Sequence, residues 1–336
     1  MGTDARRGDG AWCLVIALAL GTPGVAGAAD DALPAPAGDV PAWLFPLNPP
    51  AAADGAPPDP GRALHVPGSA VSFRLAELRD LYFAPDWRPA SHAPMPAIVA
   101  RGRAPDVYAC GYCHLPSGQG RPENAPLAGL PAGYIVQQLA DFRSGARRSA
   151  WHGPYLPSDL MRGVALRAGD AEVADAAAYF AAEALRRRPL VLERDLVPRT
   201  RVAGWVYVAD PRVGEEPLGE RLLEVAPDLE RHERRDDAMR YLAYVPSGSV
   251  RRGAAIARGG AGGTPPCTGC HGPRLEGAGL VPPLAGRSPT YLLRQLVAFR
   301  SGARAGPAAP AMQPVVATLS TRRMIDVAAY AASLPP

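Results

Sequence analysis

Two short segments, "CGYCH" and "CTGCH", carry four of the five cysteines in the 336-residue chain. Each sets two thiols three residues apart with an imidazole directly after the second: Cys110, Cys113 and His114, then Cys267, Cys270 and His271. On a helical turn, residues i and i+3 share a face and i+4 lies beside them. Two thiols so placed can add to the two vinyl groups of one haem as thioethers, and the imidazole then sits under the iron as proximal ligand. Paired cysteines serve other chemistries as well. Zinc ribbons bring their two pairs close in sequence, whereas 157 positions separate Cys110 from Cys267. A thioredoxin-like redox pair wants a preceding strand and has no use for a duplicated histidine. Two short disulfides would account for the cysteines and leave both histidines unexplained. The spacing, met twice, points to two covalently attached haem c groups.

The motifs sit inside a repeat. Cys110–Arg147 and Cys267–Arg304 align without a gap and agree at 18 of 38 positions. The first copy then carries six extra residues in "RSAWHGPYLPSDLM", and the register returns at Met161 and Met312. Such self-similarity marks a duplicated domain. In both copies "YIVQQLADF" and "YLLRQLVAF" put apolar residues on one helical face: Ile135, Leu139 and Phe142, and Leu292, Leu296 and Phe299. Alanine-rich closing helices follow, the second with Ser320 or Thr321 as its N-cap.

The elements that must hold these motifs suggest a mainly α chain. Residues 1–28 form a secretory signal: Arg6 and Arg7, the apolar run Ala11–Leu20, then small residues with cleavage near Ala28. The apolar run is short for a membrane span, and no later stretch resembles one, so no stable membrane insertion is expected. Cys13 leaves with the signal. Residues 29–95 form a Pro-rich extension, within which Leu33–Pro60 reads as a linker or extended wrap. Residues 96–186 and 247–336 hold the two copies. Between them, 187–246 is partly β or irregular: "RTRVAGWVYV" has strand or hairpin character, and the charged run Asp210–Asp237 reads as a solvated face. Lysine is absent, and the formal net charge of +4 is too mild to argue for a nucleic-acid partner.

The chain resembles the class I c-type cytochromes, above all the tandem di-haem electron carriers. The likeness rests on "CGYCH" with "PLAGL", "YIVQQLADFRSGAR" and Met161, and on "CTGCH" with "PPLAGR", "YLLRQLVAFRSGAR" and Met312. It implies two tandem cytochrome c domains and iron ligation by His114 with Met161 and by His271 with Met312. It also implies that Pro126 and Pro283, each 12 residues after a ligand histidine, offer a carbonyl to the imidazole N–H. A thioether ligand fills the iron and raises its potential, which suits electron transfer. Met324 rivals Met312 but falls in the closing helix, where packing explains it. His152, in the six-residue insertion, could replace Met161, and Met95 reads as a packing residue. Arg147 and Arg304 could pair with haem propionates or stand as solvated helix-end charges. Tyr134 and Tyr291 read as core residues near the haem.

The resemblance implies a periplasmic carrier between a donor dehydrogenase or respiratory complex and an acceptor such as a terminal oxidase, without catalysis of its own. A di-haem peroxidase and a haem subunit of a dehydrogenase complex are the alternatives. From Ser247 to Pro336 there are ten arginines against Glu276 and Asp326, so an acidic redox partner is expected at the second haem.

Overall fold

The computed structural model describes residues 40–49, 59–186 and 189–336. The expected signal and most of Leu33–Pro60 lie outside the described residues. Among these, no helix is long and apolar enough to cross a membrane.

The extension is more than a wrap. Leu44 and Phe45 are buried in the core of the second copy. The Phe45 ring stacks on Trp151 at 5.9 Å and meets Tyr155 edge-on at 5.5 Å, while the Arg294 guanidinium lies 5.1 Å over its face. Strands β1 (Ala63–Leu64) and β2 (Phe73–Arg74) and helix α1 (Leu75–Arg79) then close a small cluster of Val66, Leu78 and Trp87.

The first copy comprises α2 (Ala97–Ala100), α3 (Cys110–His114), α4 (Ala132–Ser144), α5 (Leu156–Arg167) and α6 (Asp170–Ala182). Ile135 on α4 packs with Val173, Ala177 and Phe180 on α6, as the helical periodicity requires.

The intervening segment is a folded layer. Its five-stranded sheet runs β3 (Pro189–Glu193), β9 (Tyr241–Val245), β8 (Leu223–Ala226), β6 (Val206–Ala209) and β5 (Thr200–Ala203) in spatial order. β5 and β6 form the expected hairpin, turned by Gly204 and Trp205, both at positive φ, which suits the twist of a two-residue loop. A second pair, β4 (Leu196–Pro198) with β7 (Glu215–Pro217), and helix α7 (Leu229–Glu233) complete it. The charged run is a solvated face only in part: Glu215, Glu220, Asp228, Glu230 and Glu233 are exposed, whereas Leu218, Leu222, Leu223, Val225 and Ala226 are buried together with Glu224, Asp236 and Asp237. The buried carboxylates find distant partners. Asp237 pairs with Arg88 and Arg186, and Glu224 accepts from Ser288 Oγ at 2.6 Å.

In the second copy, α8 (Ser249–Gly259), α9 (Thr268–His271), α10 (Pro289–Arg300), α11 (Ala309–Ala317) and α12 (Thr321–Ser333) follow in order. Ser320 is the N-cap, its side chain accepting from the Arg323 N–H at 3.3 Å. Glu193 of β3 accepts from the Val250 N–H at 2.7 Å, tying the sheet to the start of α8.

The two copies meet about a local two-fold. The Arg148 N–H donates to Ala303 O at 2.8 Å and the Ala305 N–H to Ala146 O at 2.7 Å, so equivalent residues exchange equivalent bonds.

Helices α8 and α12 touch at Gly253, where a β-carbon would lie 1.9 Å from Asp326 O and 2.8 Å from Tyr330 Cβ. Gly253→Ala should gain under about 1 kcal/mol in helix propensity and lose more by forcing the helices apart. A net destabilisation of about 1–3 kcal/mol is expected, to be read as a lower denaturation midpoint with unchanged slope.

Candidate haem sites

Helices α3 and α9 are single turns, and the chain doubles back after each. Gly120 N–H returns to His114 O at 3.0 Å and Gly277 N–H to His271 O at 2.7 Å. A β-carbon on Gly120 would lie 2.5 Å from Pro126 N, and one on Gly277 would lie 2.7 Å from Pro283 N. Both glycines also hold positive φ, so only glycine closes the loop this tightly. Closure brings a carbonyl to each imidazole: His114 Nδ1 lies 2.8 Å from Ala125 O, and His271 Nδ1 lies 2.8 Å from Pro282 O. A carbonyl only accepts, so Nδ1 carries the proton and Nε2 keeps its lone pair. Burial holds both imidazoles below their ordinary pKa, against the carbonyl bond that works to raise it. Each ring is therefore a neutral donor.

The accepting carbonyl is one residue earlier than the resemblance implied. Those of Pro126 and Pro283 point instead to one guanidinium: Arg287 donates from Nη1 to Pro126 O and from Nε to Pro283 O, each at 2.7 Å, and from Nη2 to Ala128 O at 3.0 Å. Arg287 is 2% exposed, and burial pushes its pKa down to about 10, which leaves it cationic at neutral pH. It clamps both proximal loops at once.

A cavity of about 750 Å³ opens beside α3, lined by Cys110, Cys113, His114, Ile135 and Arg147, with Met161 of α5 also on its wall. That size suits a large planar ligand. His152 is exposed and is not among the lining residues. Burial, with some help from Cys113, pushes the Cys110 thiol up to about 12, and burial raises Cys113 too. Buried thiols raised in this way are poor redox nucleophiles. Among the described residues, no three His, Cys, Asp or Glu side chains gather as a metal cluster. In the second copy Cys267 and Met312 of α11 pack against one apolar core, and Cys270 is exposed. Met324 is fully buried in that core, and Met95 packs beside Ile98, so both are packing residues.

At the seam Arg147 and Arg304 are each 8% exposed, so the solvated reading of these residues fails. Arg147 donates to Gln138 at 2.8 Å and Gln295 at 3.1 Å; Arg304 donates to Gln295 at 3.2 Å and Gln138 at 2.8 Å. Tyr291 and Tyr134 complete the set at 3.4 and 3.3 Å. Burial alone would raise the Tyr134 hydroxyl, but Arg304 and Arg147 together hold it below its ordinary value.

No protein-family model matches the chain. Over 68 residues it is 41% identical to cytochrome c-554(548) of Halomonas halodenitrificans, covering 82% of that protein and 20% of this one. The chain belongs to the class I c-type cytochromes. Its duplicated build places it with the di-haem members: it is 28% identical over 246 residues to cytochrome c4 of Azotobacter vinelandii, covering 71% of this chain and 90% of that one. It is also 29% identical over 277 residues to a thiosulfate dehydrogenase electron acceptor of Stutzerimonas stutzeri, covering 81% of this chain and 96% of that one. Among solved structures, thiosulfate dehydrogenase TsdBA from Marichromatium purpuratum is 27% identical at a TM-score of 0.47, covering 71% of this chain; the chain spans 39% of that protein.

A di-haem c-type cytochrome carries two covalently attached haem c groups and passes electrons to and from redox partners. The residues of this cytochrome fit the cofactor. Among the described residues, neither seam arginine has a carboxylate in salt-bridge contact, and a buried cation without an anion is costly. Haem propionates are anions of the right geometry for such guanidinium forks. Sequence reasoning missed Gln138 and Gln295, whose signal was there as repeat-identical polar residues on apolar helices; Arg287 replaces Leu130 of the first copy and carried no signal.

Arg287→Met should strand three buried carbonyls at a cost of about 3 kcal/mol or more, measured as lost denaturant stability of the holoprotein. Arg287→Lys, which cannot reach all three, should recover part of it.

Proposed function

We propose that this chain is a periplasmic electron carrier in which His114 with Met161 and His271 with Met312 ligate two irons, and Cys110, Cys113, Cys267 and Cys270 form the thioethers. The observation that carries the reading is duplicated: in each copy a pair of thiols three residues apart is followed by an imidazole whose Nδ1 is bound to a carbonyl, which leaves the Nε2 lone pair free. In the first copy a methionine shares the same cavity. The bound haem supplies the one-electron change; the chain fixes ring orientation through Ala125 and Pro282 and offers positive charge through Arg147 and Arg304.

The donor is a dehydrogenase or respiratory complex, and the acceptor class includes a terminal oxidase. The likeness to a thiosulfate dehydrogenase electron acceptor favours a sulfur-oxidising dehydrogenase as donor, and also supports a second reading as the haem subunit of such a complex. Met161 on the cavity wall supports a carrier over a peroxidase, which needs an open iron. Arg251, Arg258 and Arg323 are exposed on α8 and α12 and support an acidic partner steered to that side.

Absorption spectra in both oxidation states are expected to show two low-spin haems with the far-red methionine–iron band; a high-spin component that binds peroxide would turn the reading toward a peroxidase. Replacing Cys267 and Cys270 together by alanine should halve covalent haem staining, and full staining would remove the second site. Changing Arg251, Arg258 and Arg323 to glutamate should slow transfer with an acidic partner and flatten its salt dependence, since surface charge is screened within ~8 Å at physiological salt.

A further inference from the structure

The two copies present the same wall very differently. In the first, Tyr112 is buried, and Cys113 and Glu123 are partly buried. The extension and the sheet layer cover them. Ala109 N–H donates to Leu81 O at 2.9 Å, and Arg235 lies 3.7 Å over the Tyr112 ring while donating to Tyr112 O at 3.1 Å. Arg121 Nη2 meets His232 Nε2 at 2.7 Å, and Ser117 donates to Asp237 at 3.1 Å. In the second copy the equivalent positions are Gly269, Cys270 and Leu280, and all three are exposed. Leu280 is 67% exposed, the most exposed large apolar side chain among the described residues.

The face around Cys270 is short of charge. Its one cation, Arg274, is answered by Glu276, 3.8 Å away, whose carboxylate also accepts from the Arg274 N–H at 2.7 Å. Otherwise the exposed residues from Gly269 to Leu280 are glycine, proline, alanine, cysteine and leucine. Leu280 reaches across the seam to α4, where a β-carbon on Gly133 would lie 2.9 Å from it. Val136, one turn on and 42% exposed, extends the apolar surface. Around Met312, no charged residue occurs from Ala305 to Thr321. The arginines of this copy lie elsewhere: Arg287, Arg294 and Arg304 are buried, and Arg252 and Arg322 face Asp326.

We infer that protein partners exchange electrons with this chain at its second haem, docking on the loop Gly272–Leu280 beside Cys270, and that the partner is a redox protein with an uncharged apolar contact face. The inference rests on the carrier reading. Electron tunnelling falls steeply with distance, so a haem held at the exposed Cys270 would exchange faster than one held at Cys113, beside which the extension and the sheet layer pack. A charge pressed onto this face would lose its water without gaining a counter-ion. An apolar face gains about 25 cal/mol per Å² of apolar surface buried. Charge on the α8 and α12 side can steer the approach while the contact itself stays neutral. Electrons for the first haem then cross the seam.

The test is stopped-flow oxidation of the fully reduced holoprotein by a small blue-copper protein with an uncharged apolar contact face. Leu280→Glu should lower the second-order rate about ten-fold, equivalent to about 1.4 kcal/mol, and Ala278→Glu on the same loop should act alike if the first variant folds poorly. Val213→Glu, exposed on the sheet layer, should leave the rate unchanged. Haem content and both potentials, measured on the same samples, test the carrier reading separately and should be unaltered. Unchanged rates in both loop variants, or an equal loss in Val213→Glu, would overturn the inference. So would sedimentation showing a dimer that Leu280→Glu separates, because the face would then belong to a second copy.

Discussion

Positive charge buried between the two copies is the constraint around which this molecule is arranged. Arg147 and Arg304 face each other's glutamine and tyrosine, and Arg287 spans both proximal loops. A guanidinium withdrawn from water costs several kcal/mol unless hydrogen bonds and an anion answer it. Three carbonyls answer Arg287. Among the described residues the seam pair has only neutral hydrogen-bond partners, which leaves its charge free to meet an anion such as a haem propionate. The join between the copies and the sites beside it are thus one electrostatic unit.

That unit explains why a near-symmetric repeat has so asymmetric an exterior. The local two-fold holds where both copies need the same chemistry, at Gln138 and Gln295 or at Tyr134 and Tyr291. Away from it, the extension and the sheet layer meet over the first copy through polar contacts that have no counterpart over the second. Trp87 donates to Arg234 O at 2.7 Å, Arg88 pairs with Asp236 and Asp237, and Arg235 caps Tyr112. The formal surplus of arginine in the second copy likewise overstates its surface charge, since half of those groups face inward or pair with Asp326.

The sequence made legible whatever depends on nearby residues. The thiol and imidazole spacing, the apolar stripe through Ile135, Leu139 and Phe142, the Ser320 cap and the Gly204–Trp205 hairpin are all local patterns. What stayed hidden depends on partners far along the chain. Glu224, Asp236 and Asp237 look like surface charges because Ser288, Arg88 and Arg186 cannot be guessed as their partners from spacing. Leu44 and Phe45 sit in a proline-rich stretch whose composition denies a core, yet their partners Tyr155 and Arg294 lie more than a hundred residues later. The proximal carbonyls shifted by one residue for the same reason: the Arg287 clamp draws on both copies.

The cover over the first motif also fixes an order of completion. Tyr112 lies under Arg235, which follows it in the chain by more than a hundred positions. The surroundings of the first motif are therefore complete only once the sheet layer has folded over it, whereas Cys270 stays exposed in its own finished domain. One motif waits for a distant part of the chain, and the other does not.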